Sequence, residues 1–445
     1  MLSFTFIHAA DLHLGAPLRG LGAAAAEAFE PGEAVFEALR RLEALCLKEG
    51  AAFLLLAGDI YDDKDGVLRA RFALRDMFLR LEKAGVEVLI VHGNHDPLRE
   101  GPLPVAWPDN VTVFGASPSC RPVVKNGRPL ALVHGLSHGS PRETANLAAR
   151  FLPYAPGGDT DGFASLPPGV PEDIFQIAAL HCAVSGAGEG HAPYAPCALT
   201  DLTTAGFDYW ALGHVHQGGV LCEAPFVVYP GSLQGLHVNE TGAHGCYAVA
   251  VEDGRAVPRF VPLAPVVWRK VSLDAGGDGA PASLDALEER IVEALAAEAA
   301  VPGEARALFC RLVLRGQTEL NAVLRRPGNV DTLLERLRAR LRAEADEDGA
   351  ALWVKDILLA TSPLRDEAAL AARGDLVGET ARLAEALGRD AALAGAMAER
   401  ALAGLYGNQK LKKILAGDSA LSPAEAMAAL APSAASLLIA LLEDE

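Results

Sequence analysis

The sequence predicts an α/β layered fold with a small α+β appendage and a helical tail, and three observations carry that prediction. Over roughly the first 260 residues, short apolar runs alternate with segments of helical period. Most of those runs end in a cluster of Asp, Asn or His, and the carboxyl ends of strands are where open α/β sheets bind ligands. All twelve histidines fall between His8 and His244, so the chemistry they carry is confined to the first part of the 445-residue chain.

Residues 4–9 read as the first strand. Val35, Phe36, Leu39, Leu42, Leu45 and Cys46 recur at helical spacing, and the buried run Phe53-Leu54-Leu55-Leu56 after them stops at Gly58-Asp59. A helix near 68–83 leads to a strand over 86–91, which stops at Gly93-Asn94-His95-Asp96. The pattern recurs at 130–133, 174–180 and 209–212. His134 follows the first of these without a partner at ligand spacing and is read as structural; Asp63, Asp65 and Asp96 are read as solvated loop residues.

Composition shifts after about residue 265. The expected division is 1–265 for a catalytic domain, 266–363 for an α+β cap of order strand, helix, strand, helix, strand, and 364–445 for an Ala/Leu/Glu/Arg-rich helical tail. Ser422-Pro423-Ala424-Glu425 has the form of a helix start.

Hydrophobic residues make up 51%, ample for a packed core. Asp and Glu outnumber Lys and Arg by 57 to 39, a formal charge of −18, which argues against holding nucleic acid by the overall field. Any nucleic acid must be held locally or by a partner, and Arg19, Arg69, Arg71 and Arg99 are the basic residues nearest the polar clusters in sequence. Seven scattered cysteines without a C-x-x-C spacing read as buried thiols in a reducing compartment. No basic region precedes the apolar start, and the apolar stretch over 421–442 is broken by Pro423, Glu425 and Pro432, so a cytoplasmic protein without a membrane span is expected.

The chemistry lies in an ordered set: Asp11-x-His13, Gly58-Asp59, Gly93-Asn94-His95-Asp96, His181 and Gly213-His214-x-His216. Each piece alone is weak; together they supply carboxylate, imidazole and amide donors for two divalent ions that share a bridging ligand. Asp59 suits the bridge, because a carboxylate has two oxygens and a charge that offsets the repulsion between ions. A donor set without thiolates suits manganese, iron, cobalt or zinc better than a calcium cage, and manganese is the expected metal.

This set resembles the calcineurin-like metallophosphoesterase superfamily over residues 8–216. The resemblance implies a four-layer αββα sandwich, with Asp11, His13, Asp59 and His216 on one metal and Asp59, Asn94, His181 and His214 on the other. It also implies that His95 is a non-ligand that protonates the leaving oxygen and that Asp62 orients it. Asp62-Asp63-Lys64-Asp65 stands where phosphoprotein phosphatases carry an arginine–glycine pair, which disfavours that branch.

Residues 6–15, 207–216 and Tyr229-Pro230-Gly231-Ser232-Leu233-Gln234 are similar to DNA-repair exonucleases of the SbcD/YhaO group, with Gly15-Ala16-Pro17-Leu18 a local departure from the group's pattern. What this implies is a DNA substrate and a coiled-coil ATPase partner of the SbcC or YhaN kind docking on residues 366–445, and it leaves room for a homodimer. Gly231 and Ser232 are expected to approach the phosphate backbone through main-chain N–H groups. Two other readings stay open: a small-substrate phosphodiesterase of the same superfamily, and a non-catalytic nucleic-acid or partner-binding module.

Overall fold

The computed structural model describes residues 3–19, 31–62, 67–98, 105–154, 170–187 apart from 172, 192–277, 279–298, 304–344, 351–364 and 366–390, with a few more between 392 and 400. The chain runs β1 (Ser3–Ala9), α1 (Ala34–Lys48), β2 (Phe53–Ala57), α2 (Val67–Lys83), β3 (Glu87–Val91), β4 (Val111–Val113), β5 (Ser119–Lys125), β6 (Arg128–Leu136) and β7 (Phe175–His181). It continues through α3 (Leu199–Thr203), β8 (Tyr209–Gly213), β9 (Gly219–Glu223), β10 (Phe226–Tyr229), β11 (Gly245–Glu252) and β12 (Arg255–Pro262). These strands form two six-stranded sheets, of order β12-β11-β1-β2-β3-β4 and β5-β6-β7-β8-β10-β9. In each, a parallel centre carries the polar clusters and antiparallel strands lie towards an edge.

Alternation along the central strands makes the layers. Successive side chains on a strand face opposite ways, so a strand buried on both sides serves two cores. Ile7, Leu54, Leu56, Val88 and Ile90 pack with Val35, Leu39, Leu42, Leu74 and Phe78 of α1 and α2. Their neighbours Phe6, Phe53, Leu55 and Leu89 face the other sheet and meet Ile177, Ala179, Tyr209 and Ala211. The opposite faces of β7 and β8, through Ala178, Leu180, Trp210 and Leu212, pack on Phe151, Leu202 and Phe207. Three cores therefore separate four layers, as the four-layer αββα expectation requires. Phe6 joins the sheets directly, stacked on Phe53 at 4.9 Å and edge-on to Tyr209 at 5.3 Å.

The region after β12 follows the expected order: β13 (Val266–Asp274), α4 (Leu284–Ala297), β14 (Ala307–Gln317), α5 (Asn321–Leu324), α6 (Asn329–Ala343) and β15 (Ala351–Ser362). Its three strands form a sheet of order β13-β14-β15. The chain divides into two compact units, one of residues 1–271, 292–312 and 334–357, the other of 272–291, 313–333 and the described residues from 358 onward. In the second unit, α7 (Glu367–Ala371) and α8 (Leu376–Arg389) begin the expected helical tail, with Asp366 and Asp375 capping the two N-termini. The rest of the tail, from residue 401 on, lies outside the described residues, as do Asp63, Asp65 and Arg99. No helix among the described residues is long and apolar enough to cross a membrane. The cysteines are unpaired by disulfides, but Cys120 and Cys222 are only half-buried, on strands near sheet edges.

Two buried groups hold the strand ends together. Asp96, read from sequence as a solvated turn residue, is instead 3% exposed. Its Oδ1 accepts from the N–H groups of Asp59 (3.2 Å) and Gly93 (2.8 Å), and its Oδ2 from Ile60 N (3.0 Å) and His92 Nδ1 (3.0 Å). One carboxylate thus ties the loop after β2 to the loop after β3. His8 is fully buried in β1, where Nε2 donates to Leu212 O at 3.1 Å and Tyr209 OH donates to Nδ1 at 3.0 Å. Burial pushes its imidazole down to about 3, so the ring is neutral in the fold.

Asp96→Asn would turn an amide N–H₂ against two of these donors, and the expected cost is roughly 3 kcal/mol in urea unfolding, the scale of one or two hydrogen bonds to a buried charge. For His8, the unfolded imidazole takes up a proton near pH ~6.5 while the folded one does not until about 3. This contribution to stability is complete above the unfolded value and is lost progressively as pH falls from there towards 3. His8→Gln is expected to flatten that limb in unfolding free energies measured across the range.

Candidate metal centre

The parallel strands β1, β2, β3, β7 and β8 deliver every residue of the ordered set to one end of the two sheets. The ends are locked by main-chain bonds: Asp11 N donates to Gly58 O, His13 N to Asp59 O and Leu14 N to Ile60 O, each at 3.0 Å. His214 N donates to Asp11 Oδ2 at 3.0 Å, which carries the lock to the second sheet. Asp11, His13, Asp59 and His214 all have positive φ, at 50°, 43°, 50° and 110°. Non-glycine residues in this region cost about 1–3 kcal/mol each and persist where the surroundings over-determine them.

His181 sits fully buried at the centre. A Cβ on Gly58, Gly93 or Gly213 would come within 2.4, 2.8 and 2.8 Å of its ring atoms, so the glycine ahead of each cluster is the space His181 occupies. His181 Nδ1 donates to Ala57 O at 3.0 Å, and its Nε2 faces Asn94 Oδ1 at 3.2 Å and Asp59 Oδ2 at 3.3 Å. His138, not singled out from sequence, donates Nε2 to His181 O at 2.6 Å.

The other side of the cleft is built from Asp11, His13, Asp59, Asp62, His95 and His216. A single oxygen, Asp62 Oδ1, lies 2.9 Å from His13 Nδ1 and 2.8 Å from His95 Nδ1. Asp62 therefore does contact His95 as expected, and it also orients His13, which the sequence reading did not anticipate. His216 Nδ1 donates to Glu240 Oε1 at 3.1 Å. His13 Nε2 and His216 Nε2 stand 3.1 Å apart, with Asp59 Oδ2 4.0 Å from the former and Asp11 Oδ1 4.0 Å from the latter. Among the described residues, ligand atoms lie within 4.8 Å of one another in three overlapping groups: Asp11, His13 and His216; His13, Asp59 and His95; Asp11, Asp59 and His181. Asn94 joins through His181. His214 joins through its main chain, while its Nε2 donates to Ala192 O at 2.8 Å.

Donor bookkeeping shows that this arrangement fits cations. With Nδ1 donating to a carboxylate, both His13 and His216 are left with an Nε2 lone pair, and the two lone pairs face each other. His181 Nε2 likewise faces two oxygens that only accept. Facing acceptors at these distances repel unless a proton or metal ion lies between them. The same surplus of negative charge shows in the protonation equilibria. Burial alone would favour a neutral Asp59, but the His181 imidazole outweighs it and holds the carboxyl far below its usual range. Burial pulls His181 down, and Asp59 overrides it to lift the ring to about 9. His95 is raised chiefly by its bond to Asp62; for His216, burial lowers the ring, and Glu240, Asp11 and Asp59 together raise it by more.

Two expectations need correction. Ser232 is fully buried, its N–H donates to His216 O at 3.0 Å, and its hydroxyl meets His244 Nδ1 at 2.9 Å, so neither group is directed at a substrate phosphate. Gly231, at φ 80°, packs against the main chain behind His216, where a Cβ would meet Gly218 N and His216 O at 2.7 Å. Two of the basic residues nearest the clusters in sequence are engaged by the protein itself: Arg69 pairs with Glu33, and Arg71 is buried beside Tyr61 and Trp107. His134 meets Gln176 Oε1 at 3.2 Å in the core, in keeping with a structural role.

Residues 4–218 match the family described as Calcineurin-like phosphoesterase, and residues 268–362 match the one described as Metallophosphoesterase YhaO, middle domain. The "Uncharacterized metallophosphoesterase YhaO" of Bacillus subtilis is 37% identical over 277 residues, which is 62% of this chain and 64% of the relative. The chain thus spans a little under two thirds of that relative's length. A dimetal phosphatase from Danio rerio aligns at 14% identity over 57% of this chain and 94% of its own, with a TM-score of 0.35. A protein from Thermus thermophilus aligns at 13% identity over 58% of this chain and 99% of its own, with a TM-score of 0.31. Residues 4–218 thus carry a calcineurin-like phosphoesterase domain, and residues 268–362 a YhaO-type middle domain.

Proposed function

We propose that this protein is a metal-dependent phosphodiesterase whose substrate is DNA. The observation that carries the hydrolytic reading is the convergence of the His13 and His216 Nε2 atoms, 3.1 Å apart, on the buried carboxylates of Asp11 and Asp59. In this reading Asp11, His13, Asp59 and His216 would hold one divalent ion, and Asp59, Asn94, His181 and His214 the other. When bound, such a pair supplies Lewis acidity towards phosphoryl oxygens and an acidified water as nucleophile. The donor set of imidazoles, carboxylates and one amide suits manganese, iron, cobalt or zinc, and manganese is the ion proposed here.

The protein's own groups do the rest. Asp62 accepts a hydrogen bond from His95 Nδ1 and fixes the ring, whose side chain is 42% exposed and keeps Nε2 for substrate in this reading. A protonated His95 donates from that nitrogen to the oxygen leaving the scissile phosphorus. Among the described residues, no serine–histidine or cysteine–histidine pair beside the cleft offers a competing nucleophile, since Ser232 and His244 are both buried. DNA as substrate rests on the likeness of three sequence stretches to the DNA-repair exonucleases, and the charge of −18 supports a partner that brings DNA affinity. By the same likeness that partner is a coiled-coil ATPase of the SbcC or YhaN kind, and the exposed Leu376 and Leu383 of α8 fit a docked helix.

End-labelled single- and double-stranded DNA, incubated with and without manganese, tests the proposal against a chromogenic small diester. Cleavage is expected only with added metal, and undiminished cleavage after exhaustive chelation would overturn it; turnover of the small diester alone would shift the substrate class. Asp59→Asn is expected to abolish hydrolysis and to lower bound metal at both positions, read by elemental analysis of folded protein. His95→Ala should keep its metal yet slow cleavage by about 10²–10⁴-fold, the range for losing a general acid. Asp62→Asn, because one oxygen serves two rings, is expected to lower metal occupancy as well as turnover; full occupancy in that variant would confine Asp62 to His95.

A further inference from the structure

We infer that Glu240 is the positioning residue of His216 and, with Asp62, makes one half of the metal centre the tighter half. This deepens the metal-dependent reading above and rests on it. Glu240 is held at both oxygens: Oε1 accepts from His216 Nδ1 at 3.1 Å and Oε2 from Leu236 N at 2.7 Å. Its main chain is held as well, since Glu240 O accepts from His244 Nε2 at 3.1 Å and Glu240 N donates to His237 O at 2.8 Å. His244 Nδ1 meets Ser232 Oγ at 2.9 Å, and Ser232 N returns to His216 O at 3.0 Å. The circuit closes on His216, fixing its ring from one end and its carbonyl from the other.

The clamp has a chemical consequence. His181 and His214 give their ring N–H to main-chain carbonyls, of Ala57 and Ala192, whereas His13 and His216 give theirs to the carboxylates of Asp62 and Glu240. A carboxylate partner makes the opposite nitrogen the more basic ligand and sets its direction. Both carboxylate-backed rings lie in the group formed with Asp11. That half therefore binds its ion first, and Glu240 is needed for it to do so. Replacing Glu240 by glutamine leaves one acceptor oxygen and one N–H₂ against two donors, so one of the two bonds must fail.

Manganese titrated into the full chain, with the free ion followed by electron paramagnetic resonance, reads this directly. The unsubstituted chain is expected to bind two ions with unequal affinity. Glu240→Gln is expected to weaken the tighter one by about 10–100-fold, the range for losing such a partner, and to leave the other unchanged. Metal-free thermal unfolding of the variant should fall only by the few degrees that one lost hydrogen bond costs, so that at 25 °C the folded variant still shows the affinity loss, which a merely structural role would not produce. Glu240→Asp, which keeps two acceptor oxygens, should recover part of the affinity. Combining Glu240→Gln with His216→Ala should cost no more than His216→Ala alone, because both act through one ligand. Additive losses, or manganese affinities unchanged by Glu240→Gln while two ions still bind, would overturn the inference alone. A chain that binds no manganese would overturn the metal-dependent reading and this inference with it.

Discussion

Asp11 and Asp59 are almost wholly removed from water at the ends of two adjacent strands, and the architecture of the cleft follows from keeping them there as anions. A buried carboxylate is costly unless positive charge and N–H donors surround it. The protein meets that demand on both sides: His214 N reaches Asp11, His95 N reaches Asp59, and four imidazoles crowd the same space. Three of the four residues at positive φ in this cluster, Asp11, His13 and Asp59, lie where β1 and β2 hand over to their loops, so strain and charge are concentrated together. Such a cluster is stable as it stands only with protons or cations among its lone pairs, and that is why the geometry speaks for metal ions.

The scaffold tolerates this because it is dense beneath the cleft. β1, β2 and β3 each fill two cores with alternate residues, and Phe6 couples one sheet to the other through Phe53 and Tyr209. Close packing of that kind leaves strand ends little freedom, so loops only a few residues long can carry ligands with small positional error. Asp96 then ties the β2 and β3 loops, while the Glu240, His244 and Ser232 circuit ties the loop after β8 to the one after β10. These supports lie outside the ligand set and yet decide where its atoms point.

Much of the fold was legible because its central strands are short apolar runs that end in punctuation. The elements at Phe53–Ala57, Glu87–Val91, Phe175–His181 and Tyr209–Gly213 stand within a residue or so of where periodicity places them. Periodicity did not single out the interior strands β10 and β11, and several of the other elements it missed are edge strands or very short. β9 and β12 are edge strands with half-exposed alternation, and β12 contains Pro258 and Pro262, which signal a break in sequence but are tolerated where a ladder has one free side. β4 has only three residues, too few for any period to register.

Residue type and order along the chain determined which groups could act as ligands, because a strand end presents whatever side chain the sequence puts there and the parallel topology brings those ends together. Tertiary structure alone decided which groups support them. Asp96 looks like a loop aspartate until four donors converge on it, and Glu240 looks like a solvated glutamate until His216 is seen beside it, twenty-four positions away in sequence. Ser232 reads as an accessible residue of a tight turn, yet the fold buries it and spends its donors on His216 and His244. The difference is physical: a ligand is recognisable by the chemistry it offers, whereas a support is defined by a distance to another chain segment, and no local pattern encodes that distance.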